Sequence, residues 1–315
     1  MNLINKCWFI LFLLFVLLLA GCGKTSSAAP RTDNKQSKTE TGTRDNTPRV
    51  LLPSADGTAV YGNDSVTIDA SHPEDGYIMI SCSGGDSRIK AQITGPDAVT
   101  YTYDLEPDSG YDTFPLSAGS GSYRIQVFEN ISGDKYAVLF SQELDVALKD
   151  EFTPFLYPNQ FVNYDTDTKA VALGAELAKP ADTDLDVVTG IYHFAVDNIA
   201  YDDEKARNVK SGYLPDIDET LETRTGICFD YAALMTCMLR TQGIPTKLQI
   251  GYAGDIYHAW ISCYLAETGW VDDIIHFDGE KWTMMDPTFG VDAKKNKKTK
   301  KFIENEKNYT VKYSR

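Results

Sequence analysis

The sequence predicts an α+β protein built as a β-sandwich followed by helices packed on an antiparallel sheet. Three observations carry this. Short alternating apolar runs recur between residues 49 and 150, divided by glycine-rich turns. Apolar stripes at helical period occupy residues 168–241. From Lys247 onward the period returns to two. Strands, then helices, then strands is the order of an α+β chain rather than of a parallel βαβ one.

The first element is a short apolar run, Cys7 to Ala20, behind Lys6. It is too short for a comfortable membrane span and reads as the core of a signal peptide over residues 1–21. It ends in Leu19-Ala20-Gly21-Cys22, which resembles the lipobox of bacterial lipoproteins. That resemblance implies acylation of Cys22, export and attachment to the cell membrane through lipid. Residues 22–48 are Ser, Thr, Lys, Asp, Asn and Gly with little that is apolar, and predict a flexible tether.

Residues 49–150 predict the sandwich. Strands are expected at Ser65–Ile68, Tyr77–Ser81, Ile89–Ile93, Tyr101–Tyr103, Tyr123–Phe128 and Tyr136–Phe140. Gly84-Gly85-Asp86, Gly95-Pro96-Asp97 and Gly119-Ser120-Gly121 punctuate them. About a hundred residues with this spacing suggest an immunoglobulin-like sandwich, and Tyr123 after a glycine turn suggests its corner tyrosine. His72 and Cys82 stand alone here, and the default reading of each is structural.

Residues 151–315 predict the second domain. Thr168–Lys179 is a helix stopped by Pro180, and Asp184–Ile199 is a helix with acids in its first turn. Cys228–Thr241 is apolar almost all round, so it must be a central, covered helix. Strands follow at Lys247–Tyr252, His258–Leu265, Trp270–Phe277 and Lys281–Asp286, with Asp278-Gly279 as a hairpin turn. Asn308–Tyr313 closes the sheet.

Composition excludes some functions. The chain has 30 Lys+Arg against 45 Asp+Glu, a net charge of −15, which disfavours nucleic acid or anionic lipid as partners. Six lysines between Lys294 and Lys301 are a local exception, read as a solvated loop. Four cysteines besides Cys7 and Cys22 are too few for a disulfide scaffold. A Cys237–Cys263 bridge is disfavoured because strand parity sets Cys263 opposite His258, which is expected to face the central helix.

The chemical candidates are Cys228, His258 and Asp286. Cys228 follows a glycine turn and opens the buried helix, where unpaired N–H groups and the helix dipole favour a thiolate. His258 begins a strand and Asp286 ends one. In such an arrangement the cysteine attacks an acyl carbon, the histidine moves the proton, and the aspartate fixes the imidazole. His193 and His276 carry no such context, and Cys237 lies mid-helix.

Thr225-Gly226-Ile227-Cys228-Phe229-Asp230-Tyr231-Ala232, Tyr257-His258-Ala259-Trp260 and Met285-Asp286-Pro287-Thr288-Phe289 together resemble the core of the transglutaminase-like superfamily. Asn198-Ile199-Ala200-Tyr201-Asp202 resembles a segment that precedes that core. The resemblance runs from about Leu185 to Phe289. It implies a papain-like fold, a Cys228-His258-Asp286 triad, and Tyr201 as an additional oxyanion donor. The segment Val271–Phe277 departs from the usual single hairpin between the His and Asp blocks, so the family's substrate preference does not transfer directly.

Three functions fit these residues. The first is a surface hydrolase of peptide or isopeptide amides, with water resolving a thioester on Cys228. The second is a protein-crosslinking transglutaminase, and the third a non-catalytic adhesin or wall-binding protein. The expected partners are a peptide or protein substrate and the membrane, on a monomeric chain. No cofactor is expected. No EF-hand loop is present, and Asp202-Asp203 and Asp272-Asp273 are weak as calcium ligands.

Overall fold

The computed structural model describes residues 41–84, 87–271, 275–277, 282–284 and 308–315. The signal-peptide run, Cys22, Asp286 and the lysine run lie outside the described residues. Residues from Glu40 to Arg315 form one compact unit.

Eight strands make the sheet-rich region: β1 (Val60–Gly62), β2 (Val66–Asp69), β3 (Tyr77–Cys82), β4 (Ile89–Thr94), β5 (Thr100–Leu105), β6 (Asp112–Pro115), β7 (Gly121–Ser132) and β8 (Lys135–Val146). Two four-stranded antiparallel sheets result, ordered β1-β2-β3-β6 and β5-β4-β7-β8. Alternation explains the layering. Ile89, Ala91 and Ile93 of β4 point inward with Ile78 and Ile80 of β3, and Phe114 of β6 joins them in one sealed core. The Tyr123 hydroxyl donates to Gly119 O (2.8 Å) and accepts from Ala118 N–H (3.0 Å), which fixes the turn before β7.

The helical layer holds α1 (Lys169–Ala178), α2 (Asp184–Asn198), α3 (Asp203–Asn208), α4 (Ile217–Thr223) and α5 (Cys228–Thr241). Two-residue strands β9 (Ala200–Tyr201) and β10 (Thr225–Gly226) pair in parallel among them. Thr183 and Asp186 close a capping box at the start of α2. α3 and α4 were not predicted; each is short and starts at an aspartate cap, Asp202 or Asp216. α5 spans the predicted residues, and every residue from Asp230 to Thr241 is buried. It packs on β11 (Thr246–Ala253) and β12 (Ile256–Leu265), which join β13 (Gly269–Val271) and β16 (Tyr309–Ser314) in an antiparallel sheet ordered β13-β12-β11-β16. β14 (Ile275–Phe277) and β15 (Trp282–Met284) form a separate hairpin. The expected strand Trp270–Phe277 is therefore two strands in two sheets.

Two expectations are corrected. The tether predicted over 22–48 does not extend to 48. Gly42 N–H donates to Lys179 O (2.8 Å), Arg44 Nε to Asp184 Oδ1 (2.6 Å), Asn46 Nδ2 to Ala175 O (2.9 Å) and Arg49 N–H to Thr241 O (2.7 Å). The segment is held by polar bonds to helix ends, so its lack of apolar residues did not announce it. The second correction is strand parity. Ala259, Ile261, Cys263 and Leu265 share the core of α5. Trp260 and Tyr264, on the His258 parity, turn instead to Tyr309 and to Phe152 and Trp270. Cys263 therefore faces the helix, and parity gives no argument against a bridge to Cys237. Both cysteines are free thiols, as are Cys82 and Cys228.

Among the described residues, no helix is long and apolar enough to cross a membrane.

Candidate active site

Cys228 occupies the first turn of α5. Ile227 before it is extended, with φ −97° and ψ 176°, and caps the helix. Asp230, in the same turn, accepts the Ile227 N–H at 2.8 Å through Oδ2. A Cβ on Gly226 would stand 2.7 Å from the Asp230 Cβ, so only glycine lets the chain pass this side chain. Cys228 is half-buried, whereas Cys82, Cys237 and Cys263 are buried.

The β9–β10 ladder places Tyr201 opposite Gly226. Asp202 N–H donates to Gly226 O (2.9 Å), and the Tyr231 hydroxyl of α5 donates to Ile199 O (2.6 Å). These bonds tie the segment before α3 to the base of α5.

A cavity of about 660 Å³ brings the expected residues together: Cys228, His258 and Tyr201 all line it. Tyr213, Tyr257 and Arg315 are also in its wall. His258 and Ala259, on opposite faces of β12, both line it, so the cavity wraps around the strand there. That is how His258 shares a cavity with Cys228 although its strand face does not cover the body of α5. His258 is buried, lies opposite Gly251 of β11, and stacks on Trp260 at 6.1 Å between ring centroids. A Cβ on Gly251 would collide with Thr310 O at 2.0 Å, so this glycine lets β16 pair with β11 at this point. Asp286 lies outside the described residues.

Sequence reasoning missed a buried ionic cluster beneath Cys228. Asp230 is fully buried, accepts from the Tyr213 hydroxyl and lies 2.8 Å from Lys205 Nζ. The ammonium also sits 4.7 Å from the Tyr213 ring centroid. Burial opposes the charge on Lys205, but its bonds to Asp230 and Tyr213 outweigh this and hold it above the ordinary lysine value. Burial, then Asp230, push the Tyr213 phenol up to about 12. The cluster ties α3 and the loop carrying Tyr213 to the first turn of α5, and that loop forms one wall of the cavity. One sequence signal existed: an acid on an otherwise apolar helix.

The other thiols are set apart chemically. Burial pushes Cys263 up to about 12 and Cys82 to about 11, and raises Cys237 further. They remain protonated at neutral pH, and none of them lines the cavity that holds Cys228. His72, Glu74 and Asp75 could together hold a metal ion, yet they already bond elsewhere: His72 to Asp56 (2.7 Å) and Asp75 to Lys149 (2.6 Å).

Residues 171–287 match the family model described as the transglutaminase-like superfamily. A search of curated protein sequences returns no match. Solved structures with partial similarity include a candidate cysteine protease from Cytophaga hutchinsonii, 14% identical over 73% of this chain and 79% of that one, at a TM-score of 0.34. A candidate protease from Parabacteroides distasonis is 12% identical over 67% of this chain and 58% of that one, at 0.30. Red sea bream transglutaminase is 14% identical over 67% of this chain, at 0.30, and this chain spans 50% of its length. The helix that begins at Cys228 and the strand that carries His258 both fall inside residues 171–287, the segment that matches the transglutaminase-like model.

Proposed function

We propose that this protein is an exported cysteine-dependent acyl-transfer enzyme, anchored through lipid on Cys22, which hydrolyses peptide or isopeptide amides. One observation carries the reading. Cys228, at a helix N-terminus inside a transglutaminase-like domain, shares a cavity with His258.

In this mechanism His258 accepts the Cys228 proton, and the sulfur attacks the amide carbon. The tetrahedral oxyanion is met by the Cys228 backbone N–H and the Tyr201 hydroxyl. The carbon–nitrogen bond breaks, and the amine leaves with the proton from His258. Water, deprotonated by the same imidazole, then cleaves the thioester to acid and free thiol. Asp286 orients the imidazole and stabilises its charged form. The sandwich, immunoglobulin-like in this reading, borders the cavity through Tyr103 and Asp104 of β5 and so forms part of the substrate wall.

The test is capture of the acyl-enzyme. Acid quenching during turnover of a labelled glutamine peptide should leave one acyl group on Cys228, found by mass spectrometry. A Cys228→Ala chain should carry none. Product formed in the presence of a labelled primary amine separates the outcomes: free acid supports hydrolysis, and amine incorporation supports crosslinking. No acyl adduct and no product would leave the binding-protein reading.

A further inference from the structure

Two buried arginines meet behind the cavity wall, and their side chains are bonded differently. Arg240 donates through Nε to Thr246 O (2.9 Å), through Nη1 to Tyr157 O (2.6 Å) and through Nη2 to Arg315 O (2.8 Å). Arg315 is 5% exposed and lines the cavity that holds Cys228 and His258. Its Nε and Nη1 have no hydrogen-bond partner, and no described carboxylate pairs with it. Its guanidinium lies instead against aromatic faces, 3.9 Å from the Phe161 ring centroid and 4.6 Å from that of Tyr103. Aromatic faces solvate a cation in part but carry no net charge to neutralise it. A buried cation on a cavity wall, with no counterion among the described residues, calls for one from the ligand.

The remaining charges around the cavity agree. Among the described lining residues, Asp104 is the acid, and Lys90 binds it. Among the described lining residues, Arg315 and Lys210 are the cations left over. Phe161 stacks on Arg315 and on Phe229, the residue after Cys228, at 5.6 Å between ring centroids. The cation is thus two ring contacts from the thiol's neighbour. Apolar side chains at the same cavity, Val209, Leu214, Ile256 and Tyr257, are exposed.

We infer that Arg315 is a specificity-determining residue that binds a carboxylate of the peptide substrate, close to the amide that Cys228 attacks. The favoured substrate is then a peptide with a free carboxylate near the reacting bond and apolar residues on either side. This rests on the acyl-transfer reading of the same cavity.

The test is binding rather than turnover, so it stands apart from the fate of that reading. The probes are acetyl-Leu-Gln-Gly as free acid and as carboxamide, titrated calorimetrically into the full chain bearing Cys228→Ala. The acid should bind about 10- to 100-fold more tightly than the amide, the size of a charge-assisted bond in a sheltered site. Adding Arg315→Gln should erase that ratio while leaving amide affinity in place, and Arg315→Lys should keep part of it. Equal or undetectable binding of the two probes to the parent chain would overturn the inference. So would a ratio that persists in Arg315→Gln, or an equal loss for both probes, which would make Arg315 an aromatic-packed pin only. If thermal unfolding shows that Arg315→Gln does not fold, the parent ratio and Arg315→Lys decide. Failure to trap an acyl group on Cys228 would leave these binding ratios untouched.

Discussion

The two cysteines of α5 sit in one helix and live in different chemistry. Cys237 lies mid-helix, sealed in the core, and burial drives its thiol well above the ordinary range. Cys228 lies at the first turn, half-buried, where helix N–H groups are unpaired and a cavity containing His258 begins. Residue type is identical in both places. Position along the helix decides which sulfur can be reached and which cannot, because a helix interior offers no free N–H and no solvent path.

The strongest way to break this comparison is to remove each sulfur in turn. Cys228→Ala should lower turnover of an amide substrate at least about a thousandfold, since the nucleophile itself is lost. Cys237→Ala should leave turnover within about threefold and cost about 1–2 kcal/mol of stability from the small cavity created. Steady-state kinetics and urea unfolding of both variants read the two effects. Comparable losses of turnover would erase the distinction.

The next effect tests what holds the first turn. Asp230→Ala strips the partner from Lys205, Tyr213 and the Ile227 N–H together. It should destabilise the chain by about 3 kcal/mol in urea unfolding, and the loop carrying Tyr213 should lose hydrogen-exchange protection. Gly226→Ala presses a methyl onto Asp230 and should cost about 1–3 kcal/mol, with turnover falling as Cys228 shifts. An unchanged unfolding midpoint in either variant would mean that the cluster does not anchor the turn.

The smallest effect concerns pH. Cys263 is raised to about 12 in the folded chain, against about 8.5 for an unperturbed thiol. Between these values the folded state binds the proton more tightly than the unfolded state does. The stability this supplies is complete below about pH 8.5 and declines as pH rises toward 12. Comparing urea midpoints at pH 8 and pH 10, Cys263→Ala should lose about 1–2 kcal/mol less than the parent chain. Parallel profiles would contradict the buried, protonated assignment.

Much of the fold was legible because local rules and tertiary structure agreed. α5 begins at Cys228 as the glycine turn and the apolar run required, and β16 closes the sheet as its alternating tyrosines suggested. α3 and α4 were missed because they are short and depend on aspartate caps rather than on an apolar stripe. The ordered stretch Gly42–Arg49 was missed because polar bonds to helix ends leave no periodic trace. Motif and spacing singled out Cys228 and His258, the family resemblance added Tyr201, and all three line the cavity. The roles of Lys205, Tyr213 and Arg315 were not readable, since each depends on partners remote in sequence. The parity of β12 shows the limit of face arguments: period two separates His258 from Ala259, but not which face meets the helix, nor that a cavity would touch both.

The most direct measurement of the central claim is competitive alkylation of the full chain with iodoacetamide at pH 7, read per cysteine by mass spectrometry. Cys228 should be modified at least about a hundredfold faster than Cys82, Cys237 and Cys263, and His258→Ala should slow that modification. Modification of Cys228 as slow as that of Cys237 would contradict the assignment of Cys228 as nucleophile.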